Sequence, residues 1–204
     1  MIRTKLTLFL LFLGLASTTI GQTVYEIGSI VSDFSLKSTE NTMISMENYE
    51  DANGIILAFT CNTCPWAKLY ESRLIELHNE FAPKGYPVIA INPNDPKVQP
   101  GDSFEAMQER KADKEFPFAY VVDENQVITR MYGATRTPEL VVLQKNEENQ
   151  LVVAYKGAVD DSPRDASAVK KPYVATAINA LMKGEKVETT STKAIGCSIK
   201  WSPS

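Results

Sequence analysis

The sequence predicts an α/β fold, a central mixed sheet flanked by helices with extensions at both ends, and three observations carry that prediction. Two continuous apolar runs, Gly54 to Thr60 and Tyr86 to Ile91, lack polar alternation, as strands buried on both faces do. Between them Trp66, Tyr70, Leu74, Leu77 and Phe81 recur at spacings of four, four, three and four, which is one face of a helix. Further on, Glu139 to Gln144 and Leu151 to Lys156 flank an Asn/Glu-rich turn and read as an antiparallel hairpin.

Taken in order, the first run, the helix Pro65 to Phe81 and the second run make a right-handed βαβ unit, with Pro83 and Gly85 closing the helix. Asp102 or Ser103 caps a helix running to about Lys114, followed by a strand Phe118 to Val122 and a short helix Val127 to Tyr132. Pro172 suits the first position of a final helix to Lys183, with Val174, Ile178 and Leu181 inward and Gly184 as its stop. Segments 24–50 and 184–204 read as extensions, and Asn92 to Gly101 reads as a surface loop.

Of 204 residues, 44% are hydrophobic and 23% charged, proportions that exclude a disordered chain, a collagen and a multi-pass membrane protein. Residues 1–21 read as an export signal: Arg3 and Lys5 are followed by the apolar run Leu6 to Leu15, and Thr19 and Gly21 supply small residues before Gln22. Ten apolar residues are short of the roughly 20 that span a bilayer. Removing the leader leaves 19 basic against 25 acidic side chains, a net charge of −6 that suits neither nucleic acid nor an anionic membrane. The remaining residues, 22–204, are long enough for one domain that buries a full core. An exported chain is expected in a periplasmic or secreted setting, where cysteine pairs are available for redox work.

Cys61 and Cys64 stand three apart where the first strand hands over to the helix. Unsatisfied N–H groups and the positive end of the dipole favour a thiolate there, so the pair is able to open and close a small disulfide. Two other readings compete. A zinc site needs four ligands, and only His78 and the distant Cys197 remain to supply them. A purely structural bridge over so short a loop constrains the unfolded chain little. No metal and no cofactor is expected.

These residues resemble the thioredoxin fold, and within it the redoxin branch related to the alkyl hydroperoxide reductase/thiol-specific antioxidant proteins, over about residues 24–200. The carriers are Asp33-Phe34-Ser35-Leu36, Phe59-Thr60-Cys61-Asn62-Thr63-Cys64-Pro65, Ala90-Ile91-Asn92 with Asn94-Asp95, and Tyr132-Gly133-Ala134 before Thr137-Pro138. Asp160-Asp161-Ser162-Pro163-Arg164 and the tail Ile195-Gly196-Cys197-Ser198-Ile199-Lys200-Trp201 complete the set. The resemblance implies a cis bond at Pro138 facing the cysteines, with Thr137 as a docking position for an extended polypeptide. Arg136 is either a thiolate's partner or an ordinary surface residue. Cys61 is implied to be the more exposed nucleophile and Cys64 the thiol that resolves the mixed disulfide.

The chain departs from thioredoxin where Ile55 stands in place of a buried acid and Thr60 in place of an aromatic residue. The expected activity is thiol-disulfide exchange with protein partners and an unidentified electron donor. The rival reading is a thiol peroxidase acting on hydroperoxides, in which Cys64 would attack and Cys61 would stand where the Thr of a T-x-x-C pattern belongs. A non-enzymatic binding module is the third. Cys197 reads as a buried small hydrophobe, a second resolving thiol or an intermolecular link. His78 reads as a solvated helix residue, and Asp160-Asp161 and Glu147-Glu148 as a loop and a turn.

Overall fold

The computed structural model describes residues 24–203. The leader at residues 1–21 lies outside the described residues. A hairpin of β1 (Ser35–Ser38) and β2 (Met43–Ser45) precedes the βαβ unit formed by β3 (Gly54–Phe59), α1 (Pro65–Phe81) and β4 (Val88–Asn92). Then follow α2 (Phe104–Lys114), β5 (Ala119–Val122), α3 (Val127–Met131), β6 (Arg136–Thr137), β7 (Glu139–Lys145), β8 (Leu151–Gly157), α4 (Tyr173–Met182) and β9 (Cys197–Ser198). Seven strands make one mixed sheet in the order β2-β1-β5-β4-β3-β7-β8, while β6 and β9 pair separately. At its centre β3 runs parallel to β4 and antiparallel to β7.

All six residues of β3 are buried because both faces of the sheet are covered. Successive side chains point to opposite faces. Ile56 and Ala58 therefore pack with Tyr70, Leu74, Leu77 and Phe81 of α1 and with Val174 and Ile178 of α4. Ile55, Leu57 and Phe59 pack on the other side with Ile128, Tyr132, Phe34 and Met46. Helix α1 begins at Pro65, whose missing N–H has no intrahelical partner at that position anyway. Past a short 3-10 turn the chain reverses at Gly85, whose φ of 89° is one that glycine adopts without a Cβ penalty.

The structure departs from the sequence reading in three places. The 24–50 extension is part of the sheet: β1 pairs antiparallel with β5, and Phe34 and Met46 enter the core. Strands of three and four residues carry too few alternations to declare themselves. Of the two cap candidates the sequence offers, Ser103 caps α2, accepting from the Ala106 N–H at 3.2 Å, and this releases Asp102 for another task. The Asn92 to Gly101 loop is not a plain surface loop, because Asn92, Asn94 and Asp95 are buried. Asn94 and Asp95 are held by the tail, whose Lys200 N–H donates to Asn94 Oδ1 (2.8 Å) and whose Lys200 carbonyl accepts from Asp95 N (2.9 Å). Finally, the tail contributes β9, paired antiparallel with β6 so that Cys197 lies opposite Thr137. No helix among the described residues is long and apolar enough to cross a membrane.

Candidate functional site

The end of β3 and the start of α1 bring Cys61 and Cys64 together, each only 3% exposed. They form a small apolar cluster with Ala67, against which Trp66 and Cys197 pack. Across from them, the Thr137-Pro138 peptide is cis, as the resemblance implies. Thr137 is fully buried and meets both sulfurs: its Oγ1 lies 3.2 Å from Cys61 Sγ and its carbonyl oxygen 3.1 Å from Cys64 Sγ.

Cys64 is paired in a disulfide, and its partner is Cys197. The two Cα atoms are 5.9 Å apart, inside the usual disulfide range. Cys61 is the free thiol. Of the readings offered for Cys197, the inert hydrophobe is therefore corrected. The β6–β9 pairing brings in a residue 133 positions away, a contact no local pattern announces. The Cys197 N–H also points at Cys64 Sγ, at 3.3 Å.

Two further expectations about the thiols are corrected. Cys61 is as buried as Cys64, and burial pushes its thiol up from the ordinary value. The Asp102 carboxylate pushes it the same way, while the Thr137 hydroxyl and the Cys64 and Thr63 N–H groups pull it down without prevailing. The donors that the sequence offers a thiolate are partly taken. Asp102 Oδ1 accepts from Asn62 N (2.7 Å) and Thr63 N (3.2 Å). Its Oδ2 accepts from Thr63 Oγ1 and from Asn94 Nδ2, both at 2.7 Å.

Asp102 is thus the hub of the loop between the cysteines, and sequence reasoning missed it by treating it as a helix cap. Asn62 completes the brace: its Nδ2 donates to the Gly101 carbonyl (3.1 Å) and its Oδ1 accepts from the Tyr120 hydroxyl (2.9 Å). Burial, with the negative charges nearby, holds the Tyr120 hydroxyl protonated well past its ordinary range, so it serves as a donor. Asn94 then joins Asp102 to the Lys200 N–H, linking the cysteine loop to the tail in one chain of hydrogen bonds. The polar spacing in Asn92-Pro93-Asn94-Asp95 was the available signal.

Arg136 does not face a thiol. Its NH1 donates to the Gly196 carbonyl at 3.0 Å and so holds the tail. His78 is half-buried, not solvated: its Nδ1 accepts from Val88 N at 3.2 Å, its ring lies near Phe118, and burial pushes its pKa down. Asp160 is a buried ion-pair partner of Arg73 at 2.6 Å and accepts from the Tyr70 hydroxyl at 3.0 Å, anchoring its loop to α1. Among the described residues no group of three His, Cys, Asp or Glu is arranged to hold a metal ion.

A cis-proline face opposite two cysteines at a helix N-terminus, on this sheet order, defines a thioredoxin-fold protein of thiol redox type. The chain belongs to the AhpC/TSA family, whose model matches residues 27–161. A crystal structure of an uncharacterized conserved protein from Geobacillus kaustophilus is 32% identical over 89% of this chain and 95% of its own, with a TM-score of 0.81. A hypothetical protein from Sinorhizobium meliloti 1021 is 28% identical, covering 89% and 98% respectively, at a TM-score of 0.79. The peroxidoxin BcpB of Mycobacterium tuberculosis shares the fold at 15% identity, 69% and 90% coverage and a TM-score of 0.55. No curated protein matches the chain.

Proposed function

We propose that this chain is a thiol-disulfide oxidoreductase that exchanges disulfides with protein partners through Cys61 and Cys64, and that it works after export, in a periplasmic or secreted setting. The observation that supports the reading best is that Thr137 contacts both sulfurs while Cys64 already carries a disulfide. Bond exchange at a sulfur needs an attacking thiol, a disulfide in reach and surroundings that hold them in line. Here the free Cys61 thiol and the bridged Cys64 share one apolar cluster.

The test is the rate at which the reduced protein reduces the disulfides of insulin, compared with Cys61→Ser and Cys64→Ser. Loss of the reaction in Cys64→Ser and a slower reaction in Cys61→Ser are expected; undiminished exchange in Cys61→Ser overturns the reading.

Family membership supports a second reading, a thiol peroxidase. The rate of the reduced protein with hydrogen peroxide decides between the two, with masses taken to locate the oxidised sulfur. A free-thiol rate removes the peroxidase reading. A far faster rate that vanishes in Cys64→Ser replaces the exchange reading with it.

A further inference from the structure

We infer that Cys197 is the third redox cysteine of this site, the sulfur through which the buried Cys61 and Cys64 exchange electrons with a partner's disulfide or dithiol. The inference deepens the thiol-exchange reading and rests on it.

Accessibility makes the first argument. Cys61 and Cys64 are each 3% exposed, and the strand carrying Cys197 lies over them. Cys197 itself is only partly buried, and the chain on either side of it reaches solvent at Ser198 and at Ile195, which is 49% exposed. A folded polypeptide approaching this face meets Cys197 before it meets either sulfur of the C-x-x-C pair. Trp66 packs, partly buried, beside the sulfurs, and Ile195, two residues before Cys197, is exposed.

Placement makes the second. The tail is held on both sides of Cys197 by contacts that do not involve its sulfur. The Gly196 carbonyl is fixed by Arg136, Ile199 is buried in the core, Lys200 is held by Asn94 and Gln126, and Trp201 lies under the Arg130 guanidinium at 4.2 Å. When the bond to Cys64 opens, these contacts keep the Cys197 thiol next to Cys64, so the bond can re-form without a search. A simple staple has no need of a free thiol in its own cluster, yet Cys61 sits there.

The chemistry then closes in two exchanges. In the fully reduced protein, the Cys197 thiolate attacks a partner disulfide, forming a mixed disulfide and expelling one partner thiolate. Cys64, as thiolate, attacks Cys197 Sγ; the Cys64–Cys197 bond forms, the mixed disulfide breaks, and the second partner thiolate leaves. Both departing thiolates take up the protons that Cys197 and Cys64 released, and two electrons pass from the protein to the partner. Cys61, losing its proton to solvent, next attacks Cys64 Sγ; the Cys61–Cys64 bond forms and Cys197 departs as a thiolate that is reprotonated, with no net oxidation. Run in reverse, the same steps oxidise a partner dithiol.

The test uses the full chain as wild type, Cys64→Ser and Cys197→Ser. Oxidised glutathione is the probe, with the modified residue located by peptide mass. In Cys64→Ser, which cannot resolve, glutathione is expected on Cys197; finding it on Cys61 with Cys197 untouched overturns the inference. In Cys197→Ser, oxidation should still close Cys61–Cys64, which shows that the site has folded, while insulin reduction slows by roughly an order of magnitude. Insulin reduction within about twofold of wild type overturns the inference and leaves a structural bridge. If the wild type itself does not reduce insulin, the exchange reading fails, and the glutathione map still decides the role of Cys197 on its own.

Discussion

Thr137 meets two sulfurs with two different atoms: its hydroxyl lies 3.2 Å from Cys61 Sγ and its carbonyl oxygen 3.1 Å from Cys64 Sγ. The carbonyl belongs to the backbone and survives any substitution, but the hydroxyl does not. Thr137→Val keeps the shape and removes the one side-chain donor that favours the Cys61 thiolate. A hydrogen bond to a charged group contributes about 1.5–3 kcal/mol, so losing it should push the Cys61 thiol further up. Alkylation of Cys61 in the reduced protein by iodoacetamide should slow by about tenfold at neutral pH. An unchanged rate would show that the hydroxyl does not reach the thiolate.

Asp102→Asn should move the same thiol in the opposite direction. Removing the carboxylate removes a charge that pushes Cys61 up, so alkylation should quicken and its pH midpoint fall. The fold should suffer, because an amide placed where Oδ2 accepts from Thr63 Oγ1 and Asn94 Nδ2 brings donor against donor. Leaving such buried groups unpaired costs about 2–4 kcal/mol, measurable by urea unfolding. A variant that is both as stable as wild type and unchanged in thiol reactivity would remove Asp102 from its place as hub.

Stability should form a plateau between about pH 6.5 and pH 9 and fall on both sides. On the alkaline side the unfolded chain loses the Cys61 proton near its ordinary value of 9.0, while burial makes the folded chain keep it higher; that contribution is whole below pH 9 and lost as pH rises. Tyr120 and Tyr132, also pushed up by burial, add to the loss above pH 10. On the acid side His78 is pushed down by burial, so its contribution is present above 6.5 and lost as pH falls through the folded value. Urea unfolding from pH 4 to 11 gives the profile. Cys61→Ser should delay the onset of the alkaline decline, and identical alkaline limbs in both proteins would count against the buried thiol as its source.

Gly196→Ala should unfasten the tail. A methyl group there runs into the Thr137 carbonyl, directly beside the β6–β9 pairing that presents Cys197 to Cys64. Crowding of this kind costs about 1–3 kcal/mol. Non-reducing peptide maps of the oxidised variant should show less Cys64–Cys197 and more Cys61–Cys64 bond than wild type. An unaltered bond distribution would mean that the tail tolerates the methyl and that the contact does not set its position.

The βαβ unit with its two cysteines was legible in the amino-acid pattern alone, because its information is local. The unbroken apolar runs of β3 and β4 answer to a sheet covered on both faces, and the period of α1 answers to one buried stripe. The places of Pro138 and Thr137 come from the family resemblance, and the cis bond and the contact with both sulfurs agree with it. What tertiary structure alone decided is which side chains meet there. Asp102 turns from helix cap to hub because Ser103 caps α2, leaving its carboxylate to the N–H groups of Asn62 and Thr63, about 40 residues earlier in the chain. Cys64 bonds Cys197 instead of Cys61 because β9 pairs with β6 across a separation of 133 residues. Hydrophobic period and capping act within a few turns of chain; competition among buried donors, acceptors and sulfurs is settled only when distant segments are packed together.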